Sequence, residues 1–161
     1  MEQTVFDHGH DHDNCIADTL ALVERDCEDR KLQLTAVRRR ALEVLLKEHR
    51  AVGAYEVLEV LRAEGLGAQP PVAYRALKFL VDHGFAHRIE RLNAFVGCVH
   101  PGERHAPSFL ICRGCSTVAE LPARRAVDTL RDAASDLGFT VESITIEADG
   151  LCPACTGGRQ A

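Results

Sequence analysis

The sequence predicts an α+β protein, with an N-terminal winged helix-turn-helix domain followed by a small α/β domain. Three observations carry this prediction. Apolar residues recur at helical spacing in four segments before residue 84, two short strand patterns follow, and short strands then alternate with one helix beyond residue 100. We therefore expect a mobile tail over residues 1–13, a first domain over 14–96 and a second over 97–161.

Four helices are expected in the first domain. The first covers 16–27, Thr35 caps the second, and the third runs over 54–64. Pro70 and Pro71 suit the start of the fourth helix, over 72–83, because a proline in the first turn removes no helical hydrogen bond. Three helices, a turn and a further helix are typical of a helix-turn-helix core.

A β-hairpin is expected after the fourth helix. Segments 85–90 and 95–99 have strand composition, and Leu92-Asn93 lies at the turn between them. A hairpin directly after the last helix predicts the wing of a winged helix.

The second domain is expected to combine short strands with one helix. Segments 108–111 and 117–121 read as strands on either side of a Cys-rich turn, Pro122 opens a helix, and 141–148 reads as a further strand. A unit of this size has a thin core. It therefore needs a cross-link and a partner subunit.

Composition narrows the class of protein. Of the 161 residues, 46% are hydrophobic and 27% are charged, enough apolar material for a core. No stretch approaches the roughly 18 consecutive apolar residues of a membrane span. The N-terminus is acidic and His-rich where a secretory signal would be basic. We expect a cytoplasmic protein without a membrane partner.

Charge is divided unequally along the chain. The net charge is -5, but residues 28–91 hold 12 Lys and Arg against 9 Asp and Glu, leaving -8 for the remainder. A basic segment suits phosphate, and an acidic one suits cations. The excess of positive charge falls where the helix-turn-helix is predicted.

The strongest motif is a pair of Cys-x-x-Cys sequences. Cys112 and Cys115 form the first, Cys152 and Cys155 the second, with 36 residues between the pairs. Four thiolates in this spacing are the usual ligands of a structural zinc ion. Disulfides or a redox pair are the competing explanations, and a reducing compartment disfavours both.

A second metal site is less well defined by spacing. One further set combines two nitrogens, one sulfur and one oxygen, from His87, Cys98, His105 and Glu120. His100 is an alternative to His105. We expect Cys15 and Cys27 to be packing or surface residues, and the tail histidines His8, His10 and His12 to bind metal weakly at most.

Several segments together resemble the ferric uptake regulator family. They are Leu34-Thr35-Ala36-Val37-Arg38, Ala54-Tyr55, Pro70-Pro71-Val72-Ala73-Tyr74-Arg75-Ala76-Leu77 and the two Cys-x-x-Cys pairs. The match covers residues 15–156. Three more segments resemble the zinc uptake regulator subgroup: Gly84-Phe85-Ala86-His87, Phe95-Val96-Gly97-Cys98 and Gly150-Leu151-Cys152-Pro153-Ala154-Cys155.

The resemblance implies two zinc ions per chain. It assigns the four paired cysteines to a structural zinc, and His87, Cys98, His105 and Glu120 to a regulatory zinc. It also implies a homodimer that represses zinc-uptake genes on double-stranded operator DNA when zinc is bound, with no small-molecule substrate.

The fourth helix, as the recognition helix, would enter a major groove of the DNA. Tyr74 and Arg75 on it are expected to contact bases, and Tyr55 is a second candidate by resemblance. Arg38, Arg39 and Lys78 are expected to meet phosphates, which add affinity without sequence choice.

Two departures from the family pattern affect these expectations. Val72-Ala73 stands where the family usually has Thr in Pro-Pro-Thr-Val-Tyr-Arg, which puts one DNA contact in question. The His-His-x-His run of iron and peroxide sensors is absent, because His105 is followed by Ala106-Pro107-Ser108. A thiolate such as Cys98 also favours zinc over manganese or ferrous iron.

Three other functions compete with this one. A zinc hydrolase would need an open coordination position, which neither ligand set leaves, so we expect no enzyme. An iron, manganese or peroxide-responsive regulator of the same family would differ in metal selectivity. A zinc-buffering or protein-interaction module would show no preference for an operator over random DNA.

Overall fold

A computed structural model describes residues 12–48, 50–102 and 105–157. The predicted tail lies outside this part of the chain except for residues 12 and 13, whose backbone opens the first helix. His8 and His10 also lie outside it. Contacts divide the chain into two compact units, and the described residues up to Gly102 fall in one while those from His105 fall in the other.

The first unit is a four-helix core followed by a hairpin. Its elements are α1 (His12–Asp29), α2 (Ala36–Lys47), α3 (Ala54–Ala63), α4 (Pro70–Asp82), β1 (Ala86–Ile89) and β2 (Ala94–Gly97). Strands β1 and β2 pair antiparallel, and Val52 forms an isolated bridge with Phe95. This order is the predicted winged helix-turn-helix.

Local sequence explains where these helices begin and end. The Thr35 hydroxyl accepts a hydrogen bond from the Arg38 amide and caps α2. Pro70 and Pro71 occupy the first turn of α4, two residues earlier than predicted, because proline is compatible with that turn. Gly84 follows α4 with φ of 78°, a left-handed conformation that reverses the chain into the hairpin.

The core of the first unit joins all four helices to the hairpin. Its fully buried side chains include Leu42 of α2, Leu61 of α3, Leu77 and Leu80 of α4, and Phe85. The apolar faces of the helices therefore pack against one another in the core, and their polar faces are exposed to solvent.

The second unit is a three-stranded sheet with one long helix. Its elements are β3 (Ser108–Cys112), β4 (Val118–Glu120), α5 (Arg124–Asp136), β5 (Ile146–Gly150) and α6 (Pro153–Thr156). Strand β3 lies in the middle, antiparallel to β4 and parallel to β5. A parallel pair needs a long crossover, and α5 lies within it.

Two predicted boundaries in the second unit are wrong. The last strand begins at Ile146 and not at residue 141, because only the segment from Ile146 pairs with β3. Helix α5 begins at Arg124, after Pro122, and Ala123 stands at its N-cap. The alternation of apolar residues over 141–148 therefore predicted a strand that begins too early in the chain.

The first unit continues past the end of the hairpin strands. Residues 97–102 belong with the first unit, and the Cys98 amide donates a hydrogen bond to the Phe85 carbonyl at 3.0 Å. This bond extends the hairpin register beyond the end of β2, so Cys98 is part of the wing.

Candidate metal centres and nucleic-acid interface

The four paired cysteines come together at one end of the sheet in the second unit. Cys112 ends β3 and Cys152 caps α6, which follows β5, the parallel neighbour of β3. Cys112 is paired with Gly150 in this register, so the two Cys-x-x-Cys turns meet. Their four sulfur atoms lie within 4.8 Å of one another.

The sulfur geometry fits a tetrahedral zinc ion. Zinc–sulfur bonds of about 2.3 Å place the sulfurs of a tetrahedron about 3.8 Å apart. The sulfurs of Cys115 and Cys152 are 3.7 Å apart. None of the seven cysteines is joined to another by a disulfide, so neither Cys-x-x-Cys pair is oxidised.

Hydrogen bonds favour the thiolate form at one side of this group. The backbone amide of Cys152 donates to the Cys112 sulfur at 3.3 Å, and this bond is the main reason that the pKa of Cys112 is lowered to about 6. The Thr117 hydroxyl lies 3.1 Å from the Cys115 sulfur and lowers the pKa of that thiol.

The Cys155 thiol shows why the group requires a cation. Contact with the sulfur of Cys152, and then with those of Cys112 and Cys115, raises the pKa of Cys155 to about 12. Four thiolates cannot coexist at this distance without positive charge between them. A divalent ion would supply that charge, so the donor set fits zinc.

Two of the predicted regulatory ligands lie in the hairpin of the first unit. His87 on β1 pairs with Val96 on β2, and Cys98 continues the same register opposite Phe85. Because side chains alternate between the faces of a strand, His87 and Cys98 lie on one face as diagonal neighbours. The Cys98 side chain is fully buried and that of His87 is half-buried.

The other two predicted ligands lie in the second unit. His105 precedes β3, and Glu120 ends β4. The His105 Nε2 atom is 2.7 Å from Glu120 Oε1, and the side chain of Glu120 is only 6% exposed. This contact holds the imidazole nitrogen and the carboxylate oxygen next to each other within the second unit. His100 is exposed and belongs to the first unit.

The residues expected to read DNA lie on exposed surface. Tyr74 is 49% exposed and Arg75 is also exposed on α4, while Ala73, Ala76 and Leu77 of the same helix are buried. Tyr55, in the first turn of α3, is 65% exposed. Tyr74 is therefore not a core residue.

No family model matches the chain, but curated proteins and solved structures do. The zinc uptake regulation proteins of Escherichia coli K12 and Shigella flexneri are each 36% identical to it over 137 residues, covering 84% of this chain and 80% of theirs. The chain belongs to the ferric uptake regulator family.

Solved structures place it in the zinc uptake regulator subgroup of that family. A zinc uptake regulator solved in complex with zinc and DNA matches with a TM-score of 0.85 and 34% identity, covering 91% of this chain and 98% of that one. The holo form of XcZur matches at 0.80 and 40% identity, over 87% and 98%. The Helicobacter pylori ferric uptake regulator, at 15% identity, shares the fold.

Membership in the ferric uptake regulator family decides between the classes considered from the sequence. Its members here are transcription regulators, so the chain is not an enzyme, and the hydrolase alternative is wrong. Among the described residues, no helix is long and apolar enough to cross a membrane.

The basic residues expected to meet phosphate form contacts with other side chains of this chain. Arg39 contacts Glu24 at 2.7 Å and also Glu43, and Arg38 stacks on the ring of Phe79 in α4. Lys78 contacts Asp82 at 2.7 Å, and its side chain is 73% exposed. Of the three, Lys78 is the most accessible to a ligand.

Sequence reasoning missed residues that support these sites, such as Thr117, which contacts the Cys115 sulfur. Gly114, inside the first Cys-x-x-Cys turn, lies so close to Cys155 that a Cβ on it would be 2.8 Å from the sulfur. Phe79, whose ring contacts the Arg38 guanidinium, belongs to no recognised motif. None of these contacts has a signal in local periodicity, since each depends on how distant segments pack.

Proposed function

We propose that the chain is a zinc-dependent transcriptional repressor that binds operator DNA as a homodimer and controls zinc-uptake genes. The observation that carries this proposal is one hairpin, which follows an exposed recognition helix and holds the ligands His87 and Cys98 on one face. The relative solved with zinc and DNA supports it. A cytoplasmic location follows from the nature of the partner.

We assign the regulatory zinc to His87, Cys98, His105 and Glu120. They offer two imidazole nitrogens, one thiolate and one carboxylate, a donor set that zinc accepts in tetrahedral geometry. The hydrogen bond between His105 and Glu120 favours His105 over His100 as the third ligand. The thiolate favours zinc over ferrous iron or manganese.

The ligands suggest how zinc acts. Two belong to the unit that contains the recognition helix and two to the other unit. An ion bound by all four would restrict the orientation of one unit against the other and select the state that fits the operator. Zinc and operator must then promote each other's binding by the same factor.

We propose that Tyr74 and Arg75 read bases in the major groove. Both are exposed near the N-terminal half of α4, the part of a recognition helix that meets base edges. Arg75 suits a bidentate bond to guanine, Tyr55 is a further contact, and Lys78 would meet phosphate. The first unit, which contains the predicted domain over 14–96, would then be the DNA-binding domain.

The second unit, which lies within the predicted domain over 97–161, would form the dimerisation domain. Helix α5 buries Val127 but leaves Leu130 50% exposed, and Leu137 and Phe139, just after the helix, are 86% and 67% exposed. Contiguous apolar side chains of this size mark an interface. A second copy of the chain is the occupant that the family resemblance implies, and sedimentation of the zinc-loaded protein tests it.

The decisive experiment measures binding to a promoter fragment from a zinc-uptake gene against buffered free zinc. Manganese and ferrous iron are titrated in parallel at fixed salt, with random DNA of equal length as the control. We expect steep, zinc-selective binding to the operator. Metal-independent binding, or no preference over random DNA, would contradict the proposed function and leave the four-cysteine zinc site standing.

A further inference from the structure

Arg38 makes a stacking contact with the recognition helix. Its guanidinium carbon lies 3.9 Å from the centroid of the Phe79 ring, well within the about 6 Å range of a cation–π interaction. The same guanidinium donates a hydrogen bond to the Gln33 carbonyl. Arg38 therefore links the segment before α2 to the last turns of α4.

Arg30 makes a second set of contacts at the same end of α4. Its guanidinium contacts Asp26 at 2.7 Å, the His83 carbonyl at 3.2 Å and His83 Nδ1 at 3.1 Å. The guanidinium carbon also lies 5.7 Å from the centroid of the Phe85 ring. Arg30 follows α1, so α1 and α4 are tied at their C-terminal ends.

The three rings between the arginines contact one another. The centroid of Phe79 lies 4.5 Å from that of His83 and 6.3 Å from that of Phe85. We call Arg30, Arg38, Phe79, His83 and Phe85 the guanidinium–aromatic clamp. Because both arginines come from outside α4, the clamp constrains how α4 is rotated and tilted.

The clamp bears on DNA reading through the geometry of α4. Tyr74 and Arg75 lie on the same helix as Phe79, one turn towards its N-terminus. A small tilt about the clamped end displaces their side chains from base edges, which require precise hydrogen-bond geometry. Phosphate contacts tolerate such a displacement better, since they depend mainly on charge.

We propose that Arg38 and Arg30 are positioning residues that orient the recognition helix for base readout. Arg38 would then act through Phe79 and not as a phosphate contact. This inference rests on the proposed function, because it takes α4 to be the helix that reads the operator.

A double-mutant cycle tests the proposal with Arg38→Gln, Phe79→Leu and the combined variant. Zinc-loaded protein is titrated with operator and with random DNA of the same length, at several salt concentrations. We expect each single variant to lose roughly three- to thirty-fold in operator affinity, the range that one cation–π contact supports. Affinity for random DNA should stay unchanged, and the combined variant should lose no more than either single variant.

Two further variants separate positioning from charge. Arg38→Lys keeps the charge but not the planar guanidinium, so it should restore operator affinity only in part. Arg25→Gln removes an exposed arginine of α1 and should leave the ratio of operator to random DNA affinity unchanged. Thermal unfolding of each variant sets an assay temperature well below its midpoint.

Three results would overturn the proposal. Equal loss of affinity for operator and random DNA, with a salt slope smaller by about 0.9, would make Arg38 a phosphate contact. If the losses of operator affinity from Arg38→Gln and Phe79→Leu add in the combined variant, the two residues do not act through each other. If the variants unfold at a lower temperature but keep the wild-type ratio of operator to random DNA affinity, the clamp only stabilises the fold. Absence of zinc-dependent operator binding in the wild-type chain would instead reject the proposed function.

Discussion

At the scale of single residues, the four-cysteine site depends on neighbours that are not ligands. A Cβ on Gly114 would lie 2.8 Å from the Cys155 sulfur and 3.1 Å from its Cβ. Glycine at this position therefore allows the first Cys-x-x-Cys turn to approach the second. Gly150, at the end of β5, differs because a Cβ there would meet nothing within 4 Å.

We expect Gly114→Ala to weaken the structural zinc site. The added methyl must displace Cys155, so zinc affinity should fall roughly 10- to 100-fold, the loss typical for disturbing residues that support metal ligands. Competition with a chromophoric chelator measures the affinity, and thermal unfolding reports the lost cross-link. Gly150→Ala is the matched control and should bind zinc as the wild type does. Equal zinc retention in both variants would show that the turn adjusts without cost.

Arg75 tests base readout at the same scale. The Arg75 Nε atom donates to the Pro71 carbonyl at 3.2 Å in an exposed position, a bond that is easily exchanged for a base. Arg75→Ala should weaken operator binding by about 1–3 kcal/mol and relax the preference at one base position. Lys78→Ala should instead weaken binding to all sequences and lower the salt slope. Unchanged discrimination by Arg75→Ala would remove this residue from the readout.

At the scale of elements, the start of α3 is stabilised by a side chain of its own first turn. Glu56 Oε1 accepts the Gly53 amide at 3.0 Å, and Glu56 Oε2 contacts Arg50 at 2.7 Å. These contacts, with the bond to Arg50 the largest, lower the pKa of Glu56. Helix α3 also presents Tyr55, so its start is tied to a proposed DNA contact.

We expect Glu56→Gln to lower the free energy of unfolding by about 0.5 kcal/mol at pH 7, because exposed ion pairs contribute little. The folded pKa lies below the unfolded value, so the ionised carboxylate stabilises the fold above the unfolded pKa and loses its effect as pH falls through the folded pKa. Urea unfolding of the wild type and of Glu56→Gln measures the difference in their free energies of unfolding at pH 7 and near pH 3.5. If this difference is as large near pH 3.5 as at pH 7, the charge of Glu56 is not what stabilises the helix.

At the scale of the whole molecule, two ligand sets would serve two purposes. The four cysteines lie within the second unit, where a metal ion would stabilise a thin sheet. The proposed regulatory ligands are divided between units, so their ion would govern function and leave each unit folded. Loss of the ion at the four cysteines should therefore lower stability, whereas loss of the regulatory ion should abolish zinc-dependent operator binding and leave each unit folded.

Cys98→Ser tests this separation. Serine is nearly the same size as cysteine but a poor zinc ligand, so the variant should keep one zinc ion per chain and its oligomeric state while losing zinc-dependent operator binding. Metal analysis after dialysis counts the zinc, and sedimentation reports the assembly. Cys112→Ser is the contrasting variant and should lose stability as well as zinc. Unfolding of Cys98→Ser would mean that the two sites have been interchanged.

Local sequence was sufficient to predict most of the helices and strands and the grouping of the four paired cysteines. Helix caps, prolines in first turns and glycines after helices act over a few residues, and Cys112 and Cys115 meet in one turn because of their spacing. The hairpin and its Leu92-Asn93 turn also followed from local pattern, with φ of 47° at Asn93. Local free energies dominate these features, so a single sequence suffices.

Contacts between side chains far apart in the sequence are visible only in the folded chain. The hydrogen bond between His105 and Glu120, the stacking of Arg38 on Phe79 and the approach of Gly114 to Cys155 each join segments whose separation carries no period. The strand predicted from residue 141 failed for the same reason, since pairing with β3 begins only at Ile146. Alternation shows that a segment can form a strand, but a partner strand at the right register determines where pairing starts.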